Sequence, residues 1–144
     1  MLAVEESMQK ALCIAADSGV DVRLMVPLRG DSLLADLASH SYYKEVMKAG
    51  VKIYQYEAGY LHAKVVLGDD NFVTVGSTNI DFRSFEHNFE INAFIYDPEV
   101  VREMKRIFMN DLEHSKRVVA SEWKKRPLWN RFWESLVRLL SPLL

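Results

Sequence analysis

The densest turn signal in this chain is Gly68-Asp69-Asp70-Asn71, and the residues on both sides of it predict a β-hairpin. The arm before the turn begins at His62, and the arm after it is Phe72-Val73-Thr74-Val75. Residues two apart on a strand point to the same face. We therefore expect the His62 and Lys64 side chains to point in the same direction.

The turn also predicts which residues of the two arms lie opposite each other. Folding the arms about it pairs Lys64 with Val75 and His62 with Ser77, and it brings Asn79 close to the imidazole. One spot would then hold an acid, base or nucleophile, a cation and two neutral hydrogen-bonding side chains. Such a set suits a tetrahedral phosphate, so the sequence predicts a phosphate-ester site at the open end of the hairpin.

The pattern His62-x-Lys64-x4-Asp69, followed by Gly76-Ser77-x-Asn79, resembles the signature of the phospholipase D superfamily, the HKD motif. The flanking segments 50–54, 59–64, 79–85 and 88–92 are similar to the C-terminal half of bacterial cardiolipin synthases, and the resemblance extends over essentially the whole chain. It implies an α/β fold in which a mixed β-sheet is flanked by helices. The implied domains are a phospholipase D-like half-domain over residues 1–120 and an amphipathic helical tail over residues 121–144.

The resemblance also implies roles for individual residues of the site. They are catalytic roles for His62, Lys64 and Asp69, phosphate binding for Ser77 and Asn79, and orientation of the histidine for Glu90. Two of these roles have an alternative in the sequence itself. Asp69 lies in a turn where an Asp is often structural, and Glu90 could be a surface glutamate on a strand.

The function implied by the resemblance is transfer of a phosphatidyl group between two phosphatidylglycerol molecules, which gives cardiolipin and glycerol through a phosphohistidine. One histidine attacks phosphorus, and a second protonates the departing alcohol. This sequence holds one such motif, so we expect a second from a partner half or a homodimer. The alternatives are a single-motif phosphodiesterase or nuclease working as a homodimer, and an inactive fragment that binds anionic lipid.

Composition limits the partners and cofactors. The net charge of −2 gives no broad footprint for nucleic acid, and the single Cys13 excludes a disulfide framework. The superfamily chemistry needs no metal or other cofactor, and His40, His87 and His114 have no partners at metal-ligand spacing. No apolar run approaches the roughly 20 residues of a membrane-spanning helix. We expect a protein peripheral to the cytosolic face of the bacterial cytoplasmic membrane.

Apolar periodicity predicts alternating helices and strands. The predicted elements are a helix over 1–18, a strand over 20–27, a helix capped by Asp31 or Ser32, a strand over 51–56, the hairpin, a loop over 80–88, a strand over 89–96 and a helix that begins at Pro98. The chain opens on a helix, whereas phospholipase D-like halves have a strand before the matching helix. We therefore expect one sheet edge to be left unpaired.

The tail has two interpretations. Its predicted helix has an apolar face with Trp129, Phe132, Trp133, Leu136, Val137 and Leu140, and a charged face with Arg131, Glu134 and Arg138. Aromatic residues beside the basic segment 124–126 are typical of a helix that lies in a membrane interface. The alternative is a helix that covers the domain.

Overall fold

The computed structural model describes residues 6–30, 33–123, 125–127, 129, 133–134 and 137. Over these residues the elements are α1 (Glu6–Asp17), β1 (Arg23–Pro27), α2 (Leu33–Lys48), β2 (Lys52–Tyr56), β3 (Val65–Gly68), β4 (Phe72–Gly76), α3 (Phe82–Glu86), β5 (Asn92–Ile95), α4 (Pro98–Glu113), β6 (Ser115–Arg117) and α5 (Ala120–Trp123). The α/β class predicted from the sequence is confirmed. The residues 1–5 of the first predicted helix and the proposed caps Asp31 and Ser32 lie outside the described residues.

The first sheet has the strand order β1-β2-β6. β1 and β2 are parallel, with α2 as the connection between them, and β6 adds antiparallel to β2. Helices α1 and α2 pack against one core of buried residues, which consists of Val26, Tyr42, Tyr43, Val46, Val51 and Ile53. Gly19 and Gly50 have φ values of 92° and 100° just after the two helices. Glycine reaches this left-handed conformation without a Cβ penalty, so both positions end their helix.

The second sheet is antiparallel, with the strand order β3-β4-β5. Its hairpin register differs by one residue from the sequence prediction, because Val65 pairs with Val75 and the Gly76 N–H donates to the Lys64 carbonyl at 3.2 Å. The turn holds three residues between the strands, and Asp69 takes a φ of 51° there. A two-residue turn would have given the predicted pairing of Lys64 with Val75, so the extra turn residue is the reason for the shift.

Helix α4 connects the two sheets by packing against strands of both. Its N-cap is Asp97, whose carboxylate accepts hydrogen bonds from the backbone N–H groups of Glu99 and Val100 at 2.9 and 3.0 Å. Pro98 follows at the first helical position, where its missing N–H costs nothing. The predicted start of this helix is confirmed.

Two local predictions are wrong, and one strand was missed. The segment 80–88 is not entirely a loop, because Asp81 caps the short helix α3. The strand expected over 89–96 is regular only over Asn92–Ile95. The sequence pattern also gave no sign of β6, which is charged at two of its three positions and adds to the edge of the first sheet.

The described tail residues dock near α2 through Val137 of the expected apolar face and Glu134 of the expected charged face. Glu134 is 6% exposed and lies within reach of two hydrogen bonds from Arg126, at 2.6 and 3.1 Å, while Val137 packs on Ala38. Trp129 and Trp133 are 67% and 39% exposed. The two hydrogen bonds from the Arg126 guanidinium compensate for the burial of the Glu134 carboxylate. Phe132, Leu136, Leu140, Arg131 and Arg138 fall outside the described residues, and none of the described helices has the length and apolarity to cross a bilayer.

Candidate active site

His62 and Lys64 lie in the segment that leads directly into β3. The His62 side chain is exposed, and the Lys64 side chain is half-buried. The Lys64 ammonium donates a hydrogen bond to the His62 backbone carbonyl, with 2.8 Å between Nζ and O. Both residues line the same cavity, so the structure brings together the two residues that the sequence pattern placed on one face.

Tyr60 accompanies the histidine. Its ring stacks on the imidazole with the centroids 5.6 Å apart and the planes inclined by 17°, and its hydroxyl lies 3.5 Å from His62 Nδ1. When the Tyr60 hydroxyl donates a hydrogen bond to Nδ1, it favours the imidazole tautomer whose proton is on Nε2. Tyr60 was missed in the sequence analysis, although its position two residues before His62 was a usable signal.

The cavity has a volume of about 540 Å³. Polar residues on its wall are Arg23, His62, Lys64, Thr74, Thr78, Asn79, Asn92 and Asp111. The rest of the wall is largely apolar and comes from β1, β3, α4 and the segment around Ile80. An apolar cavity with a few convergent polar groups is the usual form of a small-molecule site.

Asn79 is held in place by the start of α3. Its backbone N–H donates to the Ser84 hydroxyl at 3.3 Å, and the Ser84 backbone N–H donates to the Asp81 carboxylate at 2.7 Å. Asp81 and Ser84 are 2% and 5% exposed, so this capping arrangement is a rigid part of the fold. The short helix that the sequence analysis missed is therefore what positions one of its predicted phosphate ligands.

Ser77 and Glu90 form a second group of hydrogen bonds. The Ser77 hydroxyl donates to the Glu90 carboxylate and accepts from the Ile91 backbone N–H at 3.1 Å. The Asn88 side chain also donates to Glu90, at 3.1 Å. The hydrogen bond from Ser77, then that from Asn88, lowers the pKa of the Glu90 carboxyl group, and the nearby Lys64 charge acts in the same direction.

The structure thus sorts the predicted site residues into three places. His62, Lys64 and Asn79 share the cavity wall, and Ser77 is bonded to Glu90 on the neighbouring strand connection. The carboxylate expected to orient the histidine has its hydrogen bonds with Ser77 and Asn88 instead. Asp69 lies at the far end of the hairpin, exposed, in the positive-φ turn position. At about 3.3 Å per residue, the four residues of β3 separate it from Lys64.

Thr78 and Asn92 are further polar residues that the sequence analysis did not assign to the site. The Asn92 side-chain amide donates to the Thr78 hydroxyl at 2.6 Å, which joins β5 to the segment that follows β4. Gly76 permits this contact, because a Cβ there would collide with the Asn92 side chain and the Ile91 carbonyl. Within the described residues no cluster of His, Cys, Asp or Glu side chains is arranged to hold a metal ion.

Comparison with known proteins gives the chain clear relatives. Residues 1–112 match the family model described as "Cardiolipin synthase, PLD-like domain". The chain is 46% identical over 140 residues to cardiolipin synthase 2 of Bacillus anthracis, and 44% identical over 140 residues to cardiolipin synthase of Geobacillus kaustophilus. Each match covers 97% of this chain but 27% and 28% of the two relatives, so the chain spans a little over a quarter of their length.

Solved structures show the same fold at low sequence identity. The phospholipase D family member Nuc from Salmonella typhimurium superposes with a TM-score of 0.69 at 22% identity, over 80% of this chain and 75% of that chain. Phosphatidylserine synthase from Haemophilus influenzae superposes with a TM-score of 0.70 at 13% identity, over 99% of this chain and 40% of that chain.

Proposed function

The chain belongs to the family described as cardiolipin synthase, PLD-like domain, and on that premise we propose that it supplies one half of a phosphatidyltransferase site. The observation that carries the proposal is the cavity wall shared by His62, Lys64 and Asn79. A titratable imidazole, an ammonium and an amide side chain are what an anionic phosphodiester needs for binding and for proton transfer.

The proposed reaction transfers a phosphatidyl group between two phosphatidylglycerol molecules. A histidine nitrogen of a second motif attacks phosphorus, and the bond from phosphorus to the glycerol oxygen breaks while His62 gives that oxygen its proton. Neutral His62 then takes the proton from a hydroxyl of the second phosphatidylglycerol. That oxygen attacks the phosphorus of the phosphohistidine, and the P–N bond breaks. Cardiolipin is released, and the histidine of the second motif is free again.

The remaining side chains have supporting roles in this proposal. Lys64 and Asn79 bind the phosphate oxygens, and the Lys64 charge offsets the negative charge that grows during attack. Ser77 would have to give up its hydrogen bond with Glu90 in order to bind phosphate. We therefore propose that the Ser77–Glu90 pair stabilises the connection between β4 and β5 and supports the site indirectly. Asp69 has an architectural role in the turn, because it takes a positive φ directly after the end of β3.

Exposed apolar residues next to the site support the need for a partner half. Phe89, Ile91 and Phe94 are 108%, 79% and 62% exposed. Phe89 and Ile91 alternate along the chain with Glu90 and the site residue Asn92, and Phe94 follows two residues after Asn92. A contiguous exposed apolar patch marks an interaction surface. We propose that a second half bearing an HKD motif covers this patch and contributes the second histidine. The second half comes from a longer chain or from another copy of this one.

An activity assay with vesicles tests this proposal. The chain is incubated with phosphatidylglycerol vesicles, alone and with the N-terminal half of the Bacillus anthracis relative, and cardiolipin and glycerol are measured. We expect turnover when the second half is present and none after His62→Ala, whereas His87→Ala at the end of α3 keeps the activity. Unchanged turnover in His62→Ala would remove this residue from the mechanism.

The second candidate function is a phosphodiesterase that acts as a homodimer. The fold shared with Nuc favours this second function. The match covers 80% of this chain and 75% of Nuc, so the two chains are of similar size. Hydrolysis of bis(p-nitrophenyl) phosphate or plasmid DNA by a dimeric fraction of the chain alone would select this function. Vesicle binding without either activity would select the lipid-binding fragment.

We also propose that the tail places the protein on an anionic membrane surface. The exposed tryptophans, Trp129 and Trp133, lie with ring centroids 5.9 Å apart. In the sequence they follow the basic residues 124–126. Such a combination suits the bilayer interface. We expect replacement of both tryptophans by Ser to abolish flotation with phosphatidylglycerol vesicles, while replacement of the exposed Tyr96 leaves flotation unchanged. Equal flotation of all three proteins would refute a membrane role for the tail.

A further inference from the structure

The Arg126 side chain joins the end of α5 to the tail. Its guanidinium donates two hydrogen bonds to the Glu134 carboxylate, at 2.6 and 3.1 Å, and its Nε donates to the Trp123 carbonyl at 3.2 Å. The guanidinium carbon also lies 3.3 Å from the centroid of the Trp123 ring. All three guanidinium nitrogens are thus bonded within the protein, although the sequence places Arg126 in the basic segment 124–126.

The buried Glu134 carboxylate depends on this one cation. The nearest other basic group is the His40 imidazole, with its Nδ1 4.0 Å from the carboxylate. Burial lowers the pKa of His40, and the Glu134 and Asp36 carboxylates oppose that shift only in part, so at pH 7 the imidazole is largely neutral. A buried carboxylate that loses its cation is strongly destabilising. Arg126 therefore cannot take another partner unless Glu134 moves into water.

The docked tail divides its own apolar stripe between protein and solvent. Trp129, Trp133 and Val137 are helical and four residues apart, so they follow one stripe of the helix. Val137 is 3% exposed and packs on Ala38, whereas the two tryptophans are exposed. A helix that lies in a membrane interface buries its whole apolar face in the bilayer. The docked position of Val137 and full insertion of this stripe therefore exclude each other.

We propose that the Arg126–Glu134 pair is a latch that anionic phospholipid opens: Arg126 exchanges the carboxylate for a lipid phosphate, and the tail turns its apolar stripe into the bilayer. The two free oxygens of a phosphodiester present the same bidentate acceptor to a guanidinium as a carboxylate does. Glu134 then moves into water, and Val137 leaves Ala38 for the acyl chains. The inference rests on the proposed membrane role of the tail, and it adds that the docked tail opposes membrane binding.

Glu134→Gln tests the latch, because it removes the charge that holds Arg126 and leaves Arg126 able to bind phosphate. Without vesicles, we expect amide hydrogen exchange at Trp133 and Val137 to become about tenfold faster, since the tail undocks more often. With vesicles of equal parts phosphatidylglycerol and phosphatidylcholine, we expect half-maximal flotation at about fivefold lower lipid concentration than for the native protein. Circular dichroism confirms that the variant is folded.

Two further variants separate the latch from a general effect of charge. Glu103→Gln is the matched control, because Glu103 also accepts two hydrogen bonds from one arginine, Arg106, but on the exposed surface of α4. It should change neither tail exchange nor flotation. Arg126→Gln should speed tail exchange as Glu134→Gln does, but should float less well than Glu134→Gln, because it has no guanidinium for the phosphate. The double variant Arg126→Glu with Glu134→Arg should restore slow exchange.

The source of the phosphate is tested with glycerol 3-phosphate in solution. It should leave tail exchange in the native protein unchanged, because it offers no apolar layer for the stripe, and faster exchange would overturn the assignment to lipid. Unchanged exchange in Glu134→Gln, or flotation no better than that of the native protein, would overturn the latch. Flotation that survives replacement of both Trp129 and Trp133 by Ser would refute the membrane role of the tail itself, whereas exchange without vesicles still reports on the ion pair.

Discussion

The Lys64 ammonium is bonded to the backbone of His62, the residue two positions before it, with 2.8 Å between Nζ and the carbonyl oxygen. This contact anchors the cation beside the imidazole through a neutral acceptor. Within the described residues no carboxylate oxygen lies within 4.0 Å of Lys64 Nζ. The ammonium therefore has no ion-pair partner among the described residues, which supports the proposal that it binds a phosphate.

The first prediction concerns this cation. Lys64→Met keeps the length of the side chain and removes its charge, so we expect kcat/KM for phosphatidylglycerol in the reconstituted assay to fall by about 100-fold. Lys44→Met on the exposed side of α2 is the matched control and should leave kcat/KM unchanged. Equal activity of the two variants would show that Lys64 does not bind the reacting phosphate.

The second prediction concerns Glu90. Its hydrogen bonds from Ser77 and Asn88 hold its pKa below the ordinary value of 4.5. The folded state therefore favours the carboxylate, and the contribution to stability is present above pH 4.5 and lost as the pH falls through the lowered pKa. A carbon-13 titration should give a midpoint below 4.5 in the native protein and a higher midpoint in Ser77→Ala. An unchanged midpoint in Ser77→Ala would contradict the hydrogen bond as the main cause.

The third prediction compares two valines of the hairpin. Val73 on β4 is fully buried, whereas Val66 on β3 is 47% exposed. Val73→Ala removes buried methyl groups and leaves a cavity, so the free energy of unfolding should fall by about 2 kcal/mol. Val66→Ala should change it by less than about 0.5 kcal/mol. Urea denaturation measures both, and similar losses in the two variants would contradict the observed faces of the hairpin.

The fourth prediction concerns His40, whose ring packs edge-on against the rings of Tyr43 and Trp123. Burial lowers the pKa of this imidazole below 6.5, and the Glu134 carboxylate 4.0 Å away opposes the shift only in part. A lowered pKa means that the unfolded chain binds the proton more readily, so stability is present above pH 6.5 and is lost as the pH falls below it. Thermal unfolding between pH 7 and pH 5 should show this loss in the native protein and a smaller one in His40→Gln. Parallel curves for the two proteins would rule out His40 as the cause.

The fifth prediction concerns the cap that positions Asn79. Asp81→Ala removes the acceptor for the Ser84 backbone N–H and should lower the free energy of unfolding by about 1–2 kcal/mol. Asp81→Asn keeps an acceptor at the same place, so its free energy of unfolding should fall by only a few tenths of the loss in Asp81→Ala. If turnover falls in Asp81→Ala and recovers in Asp81→Asn, the cap acts on activity through Asn79. Equal loss of turnover in both would point to the carboxylate itself.

The local patterns in the sequence explain the predictions that the structure confirms. Gly19, Gly50 and the Asp97-Pro98 pair determine where helices end and begin, because each acts through its own backbone or nearest neighbours. The α/β order follows from the spacing of apolar residues. The family follows from the spaced motif residues, and the comparisons confirm it.

The errors occurred where a local pattern has nearly equal alternatives. The hairpin register depended on whether the turn after Gly68 holds two or three residues, and the positive φ of Asp69 decided it. Glu134 was assigned to a charged outer face, but the Arg126 guanidinium, which lies over the Trp123 ring, reaches its carboxylate in the folded chain. Arg126 precedes the predicted tail helix, so helical periodicity does not reveal this pairing.

The sequence by itself determined the family, the order of the elements and the presence of His62 and Lys64 side by side, since all of these depend on residue type and short spacing. The tertiary structure decided which predicted residues meet: it placed Asn79 on the cavity wall, bonded Ser77 to Glu90 and left Asp69 at the far turn. It also separated the described strands into two three-stranded sheets. The physical reason is that pairing of distant segments depends on backbone hydrogen bonds and burial across the whole fold, which short-range patterns do not encode.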